Sequence, residues 1–231
     1  MIKWRAFFFD MDGVLYDSMP NHEYTWTKTF EAEEILLDPR EAYINEGRTG
    51  RGMINLIFNR NFGRDASEDE IERIYSRKTR LMRECPVAPL MPRMKQLVDY
   101  LRLHGIAAYV VTGSKQPSLI DKLWREYGFD KEHIVCGADV KRGKPDPEPY
   151  QIALQRSGCR PQECVVVENA PLGVRAAKAA GLYCIAVNTG KLDNSYLTEE
   201  HCDELYASTT ELTVRIIGLL NDNLASDFTE R

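Results

Sequence analysis

Four short polar clusters, far apart in the chain, carry residue types that suit one reaction. Phe7-Phe8-Phe9 ends abruptly in Asp10-Met11-Asp12-Gly13. Two carboxylates one residue apart at the end of an apolar run can hold a divalent cation and leave one oxygen free to attack an electrophile. Gly13 suits a sharp turn with positive φ. Taken alone, the same acids could simply cap loop amides. Val110-Val111 runs into Thr112-Gly113-Ser114, where a hydroxyl and the amides of Gly113 and Ser114 suit a phosphate oxygen. A helix start with Ser114 as N-cap explains these residues too. Lys144 stands in Lys141-Arg142-Gly143-Lys144-Pro145-Asp146-Pro147. Its charge would neutralise phosphate and hold a carboxylate ionised. It alone of the three bases precedes a proline-stiffened turn; Lys141 and Arg142 fit a solvated loop better. Glu168-Asn169 offers an acid and an amide oxygen that can complete an oxygen-rich Mg²⁺ site, or an Asn turn before Pro171.

Apolar spacing says which elements must position these residues. Residues 4–9 read as a buried strand, and 107–111, 134–136, 164–167 and 183–187 as further strands, with a last edge strand at 205–207. Helical patterns at 92–104, 116–127, 147–157 and 171–180 lie between them, stopped by Gly105, Gly128, Gly158 and Gly181. Strands alternating with helices predict a Rossmann-like α/β core: a parallel sheet with right-handed crossovers and helices on both faces. Ligands of such sheets gather at the carboxyl ends of the strands, where all four clusters fall. Residues 19–84 differ in character, with charged, helix-forming stretches at 21–34, 52–62 and 68–83. Ser67 before Glu68 and Glu70 marks a helix start. The expectation is an α/β core from residues 1–17 and 85–231, with an all-helical cap domain, 18–84, inserted after the first strand. Pro86, Pro89 and Pro92 mark a hinge.

Composition narrows the partners. A net charge of −5 argues against nucleic acid and anionic membrane. No apolar run approaches membrane-spanning length, and residues 1–9 are too short and too charged for a signal peptide. The six cysteines show no CxxC pair, and Cys136, Cys164 and Cys184 lie in apolar runs, as small buried residues of a reducing compartment do. A monomer of the cytoplasm is expected.

The ordered set DMDGVLYDS, VVTGS, KPDPEPY and VVVENAPLGV resembles the haloacid dehalogenase superfamily of phosphatases and phosphomutases. The helical insert is similar to the small cap of its β-phosphoglucomutase-like branch. The resemblance implies roles. Asp10 would be the nucleophile that forms an aspartyl-phosphate, and Asp12 the general acid and then base. Thr112 and Lys144 would hold the transferring phosphoryl. Mg²⁺ would be bound by the Asp10 carboxylate, the Asp12 backbone carbonyl and Glu168-Asn169. The branch usually carries two acids at the last place, so the uncharged Asn169 implies weaker Mg²⁺ binding.

The insert should choose the substrate. Asn45-Glu46-Gly47-Arg48-Thr49-Gly50-Arg51-Gly52 is the expected substrate loop, with Arg48 and Arg51 able to grip an anion. A solvated loop competes with that reading, more for Arg51 than for Arg48. His22 and Trp26, a helical turn apart, would face the cleft if they match their β-phosphoglucomutase counterparts. Sugar-phosphate mutases of this branch carry a lysine and an arginine where this chain has Glu46 and Gly50. The combination around Glu46, Gly47 and Arg48, with ENAPLGV and Val187-Asn188-Thr189-Gly190, is similar instead to an inorganic pyrophosphatase-type member. The expected function is a Mg²⁺-dependent phosphohydrolase of a small phosphorylated substrate, with pyrophosphate favoured. A β-phosphoglucomutase or sugar-phosphate phosphatase is the alternative. A catalytically silent binding module is the distant one, opposed by intact Asp10, Asp12, Thr112 and Lys144.

Overall fold

The computed structural model describes residues 4–115 and 117–229. β1 (Ala6–Phe9) leads into α1 (Met19–Glu31), α2 (Glu41–Ile44), α3 (Gly50–Phe62) and α4 (Glu68–Glu84). The chain then alternates: α5 (Met94–Leu103), β2 (Ala107–Val111), α6 (Pro117–Tyr127), β3 (Ile134–Val135), α7 (Glu148–Ser157), β4 (Cys164–Glu168), α8 (Pro171–Ala179), β5 (Tyr183–Val187), α9 (Ser195–Thr198), β6 (Glu204–Tyr206) and α10 (Thr209–Thr229). The strands form one parallel sheet in the order β3-β2-β1-β4-β5-β6. Here is the expected Rossmann-like arrangement.

Alternation along each strand feeds two apolar layers. Phe7, Phe9, Val110, Val165, Val167 and Ile185 pack on one face with Leu97 and Leu101 of α5 and Leu212 and Ile216 of α10. Phe8, Val111, Val166, Cys184 and Ala186 pack on the other with Tyr150 of α7 and Val174 and Ala177 of α8. Burial on both faces is why these strands read as unbroken apolar runs. Strand order reverses between β1 and β4, which opens a crevice at their carboxyl ends. Phe9 is in register with Val110 and with Val167, so Asp10, Thr112 and Glu168 all emerge at that end.

The stretch between β1 and α5 is helical for local reasons. Ser67 and Glu70 form a reciprocal capping box on α4, and the Thr49 hydroxyl accepts from the Gly52 amide at the start of α3. Trp26, Phe30, Tyr43, Ile54, Ile57 and Ile74 make a separate apolar cluster. One member, Leu192, comes from the loop after β5. On that loop Lys191 pairs with Glu23 at 2.7 Å, and Tyr43 donates to the same carboxylate at 2.9 Å. Thr189 donates to the Gly13 carbonyl at 2.7 Å.

Some elements depart from the sequence reading. α1 begins at Met19, with Pro20 tolerated in its first turn. The short α2 and α9, and the long α10, were not expected; Leu212, Ile216 and Leu220 of α10 close one face of the sheet. Residue 116, expected to open a helix, lies outside the described residues. Cys164 and Cys184 are buried as expected, whereas Cys136 is half-buried beside the two-residue edge strand β3; all six cysteines are free. No described helix is long and apolar enough to cross a membrane.

Candidate active site

Asp10 leaves β1 with its amide donating to Val167 O on β4 at 2.9 Å. Gly13, at φ +83°, turns the chain back, and a Cβ there would lie 2.1 Å from Asn169 Nδ2. Only glycine lets the Asp10–Gly13 turn and Asn169 approach so closely. Lys144, 2% exposed, reaches in from the loop before α7. Its ammonium donates to Asp10 Oδ1, to Val111 O at 3.1 Å and to Glu168 Oε1 at 2.6 Å. Glu168 Oε1 also accepts from the Tyr150 hydroxyl at 2.6 Å, and its Oε2 accepts from the amides of Asn169 at 3.0 Å and Ala170 at 3.4 Å. The Thr112 hydroxyl is buried beside them and accepts from the Ser114 amide at 3.1 Å. The four sequence clusters therefore meet at one point.

Charge at that point is out of balance. Asp10, Glu46 and Glu168 bring ligand oxygens within 4.8 Å of one another. Among the described residues, Lys144 is the one cation hydrogen-bonded to this group. Burial pushes the Asp10 carboxyl up to about 8, with Lys144 opposing and Glu168 and Asp12 adding to the rise. Burial and the Asp10 charge likewise raise Glu46 well above the usual carboxylate range, against Lys144. The attraction of both Asp10 and Glu168 overcomes burial and raises Lys144, keeping it charged. Asp10 Oδ2, Glu46 Oε2 and Asn169 Oδ1 are all buried without a hydrogen-bond partner. Three carboxylates against one ammonium, with orphaned hard oxygen donors, suit a divalent cation such as Mg²⁺. Glu168 spends both oxygens on hydrogen bonds, so Asn169 Oδ1 is the readier donor of that pair.

Asp12 has different neighbours. Ser18 donates to its Oδ1 at 2.5 Å, and His22 Nε2 lies 3.4 Å from the same oxygen. Burial would raise this carboxyl, but His22, Ser18 and the nearby Lys78 hold it down at about 2.

The helical stretch covers these groups and encloses a cavity of about 410 Å³ lined by His22, Trp26, Glu46, Arg48, Gly113 and Ser114, among others. Gly47, at φ +81°, packs on the Lys144 stem, where a Cβ would lie 2.8 Å from Cδ. That contact delivers Glu46, 9% exposed, to the acidic group. Arg48 donates through Nε to Asn45 at 3.3 Å; burial, with Arg175 adding, lowers its pKa. Arg51 does not join them. Its guanidinium pairs with Glu68 at the surface, because the first turn of α4 presents a carboxylate there. Gly50 has no room for a side chain: a Cβ would lie 2.3 Å from the Tyr75 ring.

Sequence reasoning missed two residues. Tyr150 is the hydroxyl partner of Glu168. Lys78, 7% exposed, lines the cavity with its ammonium 5.5 Å from the centre of the Trp26 ring. Burial lowers Lys78 to about 8, with Asp12 opposing. A signal for Lys78 existed: it continues the Ile71–Ile74 stripe of α4, where an apolar residue belongs.

Buried carboxylates around one ammonium, at the switch point of a parallel sheet, are an arrangement suited to phosphoryl chemistry. Residues 4–181 match the haloacid dehalogenase-like hydrolases, and the chain belongs to that family. Hexitol phosphatase A of Escherichia coli (strain K12) is 32% identical over 81% of this chain and 84% of its own length. A fructose-1-phosphate phosphatase of the same organism is 29% identical over 80% of this chain and 97% of its own. A solved structure of a candidate β-phosphoglucomutase from Bacteroides vulgatus is 42% identical, with a TM-score of 0.91, over 95% of this chain and 90% of that one. The enzyme is a phosphatase. The named activities of these three relatives concern phosphorylated sugars and polyols, which does not support the expected similarity to a pyrophosphatase.

Proposed function

We propose that this enzyme is a Mg²⁺-dependent phosphatase that removes phosphate from a small phosphorylated sugar or polyol through an aspartyl-phosphate. The observation that carries the reading is the orphaned Asp10 Oδ2, buried at the mouth of β1 beside the Lys144 ammonium. Its support in substrate class comes from the relatives, and it takes precedence over the pyrophosphate expectation for that reason.

Asp10 Oδ2 attacks phosphorus and the bond to the leaving oxygen breaks. Asp12 gives that oxygen its proton. Water then attacks the phosphorus of the aspartyl-phosphate, Asp12 takes the water's proton, and phosphate leaves with Asp10 restored. Lys144 holds the phosphoryl charge with the Thr112 hydroxyl. Asp12, held down at about 2, is ionised before substrate arrives. Its proton for the first step comes when an anionic substrate lies beside it and raises it. A divalent cation held by Asp10, the Asp12 carbonyl, Asn169 and Glu168 would neutralise charge between nucleophile and phosphate. Arg48 and Lys78 face the part of the substrate away from the reacting phosphorus.

A second reading, inorganic pyrophosphate, rests on the Gly50–Tyr75 contact and the inward Glu46, which narrow the leaving-group side. Phosphate release from hexitol phosphates, fructose 1-phosphate, glucose 1-phosphates, glycerol 3-phosphate and pyrophosphate, with and without Mg²⁺, tests both. Sugar or polyol phosphates should rank first. Pyrophosphate ranking first would reverse the order of the two readings, and isomer interconversion without net phosphate release would remove both.

A further inference from the structure

We propose that Tyr150 is a positioning residue of this phosphatase: its hydroxyl shares Glu168 Oε1 with Lys144 and so sets how firmly the Lys144 ammonium is held away from the phosphoryl group. The inference rests on the proposed roles of Asp10 and Lys144.

An ammonium has three protons. Those of Lys144 are matched by three acceptors: Asp10 Oδ1, Val111 O and Glu168 Oε1. Contact with a phosphoryl oxygen therefore requires one of these bonds to yield. Val111 O is fixed at the end of β2, and Asp10 Oδ1 belongs to the carboxylate whose other oxygen takes the phosphoryl. Glu168 Oε1 is the competitor that can give way.

Tyr150 acts on that competitor. Its hydroxyl lies 2.6 Å from Glu168 Oε1, equal to the Lys144 distance. A carboxylate oxygen shared between two donors gives less to each. The phenol thus weakens the hold of Glu168 on Lys144 without leaving the carboxylate unsatisfied. It also fixes the carboxylate in place. Glu168 is boxed by Tyr150, by the amides of Asn169 and Ala170, and by Gly173 on α8, where a Cβ would lie 1.8 Å from Oε1. The Tyr150 ring faces the ammonium from 5.2 Å, so it orders Lys144 from a second side. A buried phenol needs an acceptor, and the one Tyr150 takes is the oxygen that Lys144 also uses.

Tyr150→Phe keeps the ring and its face toward Lys144 and deletes only the O–H. Three measurements in the presence of Mg²⁺ test the proposal: steady-state kinetics on the preferred substrate, competitive inhibition by orthovanadate, and the thermal midpoint. The expected result is a kcat lowered about tenfold and vanadate binding weakened about tenfold, while the protein stays folded. Unchanged kcat and vanadate affinity, with or without a lower thermal midpoint, would make Tyr150 purely structural and overturn the proposal. The underlying reading fails separately, and takes the proposal with it, if the wild-type enzyme neither releases phosphate from any of the panel substrates nor binds vanadate.

Discussion

Lys144 and Lys78 are both buried ammonium groups of one site, and they keep different company. Lys144, from the sheet side, has three oxygen acceptors and is raised by its acidic neighbours. Lys78, from α4, has the Trp26 ring and no hydrogen bond or ion pair among the described residues, and burial holds it down at about 8. On the side where the proposed chemistry occurs, the ammonium is fully partnered and it is the carboxylates that are in excess. On the helical side it has left a desolvated cation facing an open cavity. In the proposed function the first arrangement serves the reaction, and the second offers its charge to an anionic part of the ligand.

Experiments can break this contrast from either side. Asp10→Asn should lower turnover by roughly a thousandfold or more, as loss of a nucleophile does, with unchanged circular dichroism; near-normal rates would remove Asp10 from the chemistry. Lys78→Met should raise KM by roughly ten- to a hundredfold, the range for a hydrogen bond to a charged group, with a smaller effect on kcat. An equal loss in kcat alone would place Lys78 with the reacting atoms and erase the distinction between the two lysines. His22→Ala should move the pH-rate limb that reports Asp12 to higher pH, because a group that holds its carboxyl down is gone. An unmoved limb would mean that Ser18 and Lys78 suffice.

The smallest effect is in stability. Asp10 is about 3.8 as a free carboxyl and about 8 in the fold. Between those values the native chain keeps a proton that the unfolded chain has lost. Its stabilising contribution, complete below about 4, is therefore lost as pH rises towards 8. Mg²⁺ should raise the thermal midpoint more at pH 8 than at pH 5, and equal increments would put the cation elsewhere.

The sheet was legible because its strands are buried on both faces and end in glycine or polar turns. The four polar clusters were legible because each ends a strand or opens a loop. Tyr150 was not, since a tyrosine on the apolar side of a helix carries no local mark of its partner; only the fold brings it to Glu168. Lys78 broke an apolar stripe yet sat among many charged residues of α4, which hid it. Arg51 shows the reverse case: an arginine in a glycine-rich stretch suggested anion binding against a competing solvated reading, and a surface carboxylate on the next helix claimed it. Substrate choice was least legible because it depends on how Glu46, Tyr75 and Gly50 fill space across the cavity, not on any run of sequence.

Leu192 changes how the helical stretch can move. With that leucine inside its apolar cluster, the stretch cannot swing on the connection near residues 85–92 as a door swings on one hinge. It is moored at two points distant in sequence, and small motions that respect both moorings are a roll about the line between them. Opening further must draw Leu192 into water, at about 1.5–3 kcal/mol for a leucine side chain, and part Lys191 from Glu23. Thr189, two and three residues ahead of these moorings, grips the carbonyl of Gly13. A wide opening would therefore pull on the turn that carries Asp10 and Asp12, and the seating of the helical stretch would be felt at Asp10 through a path that does not pass through the substrate.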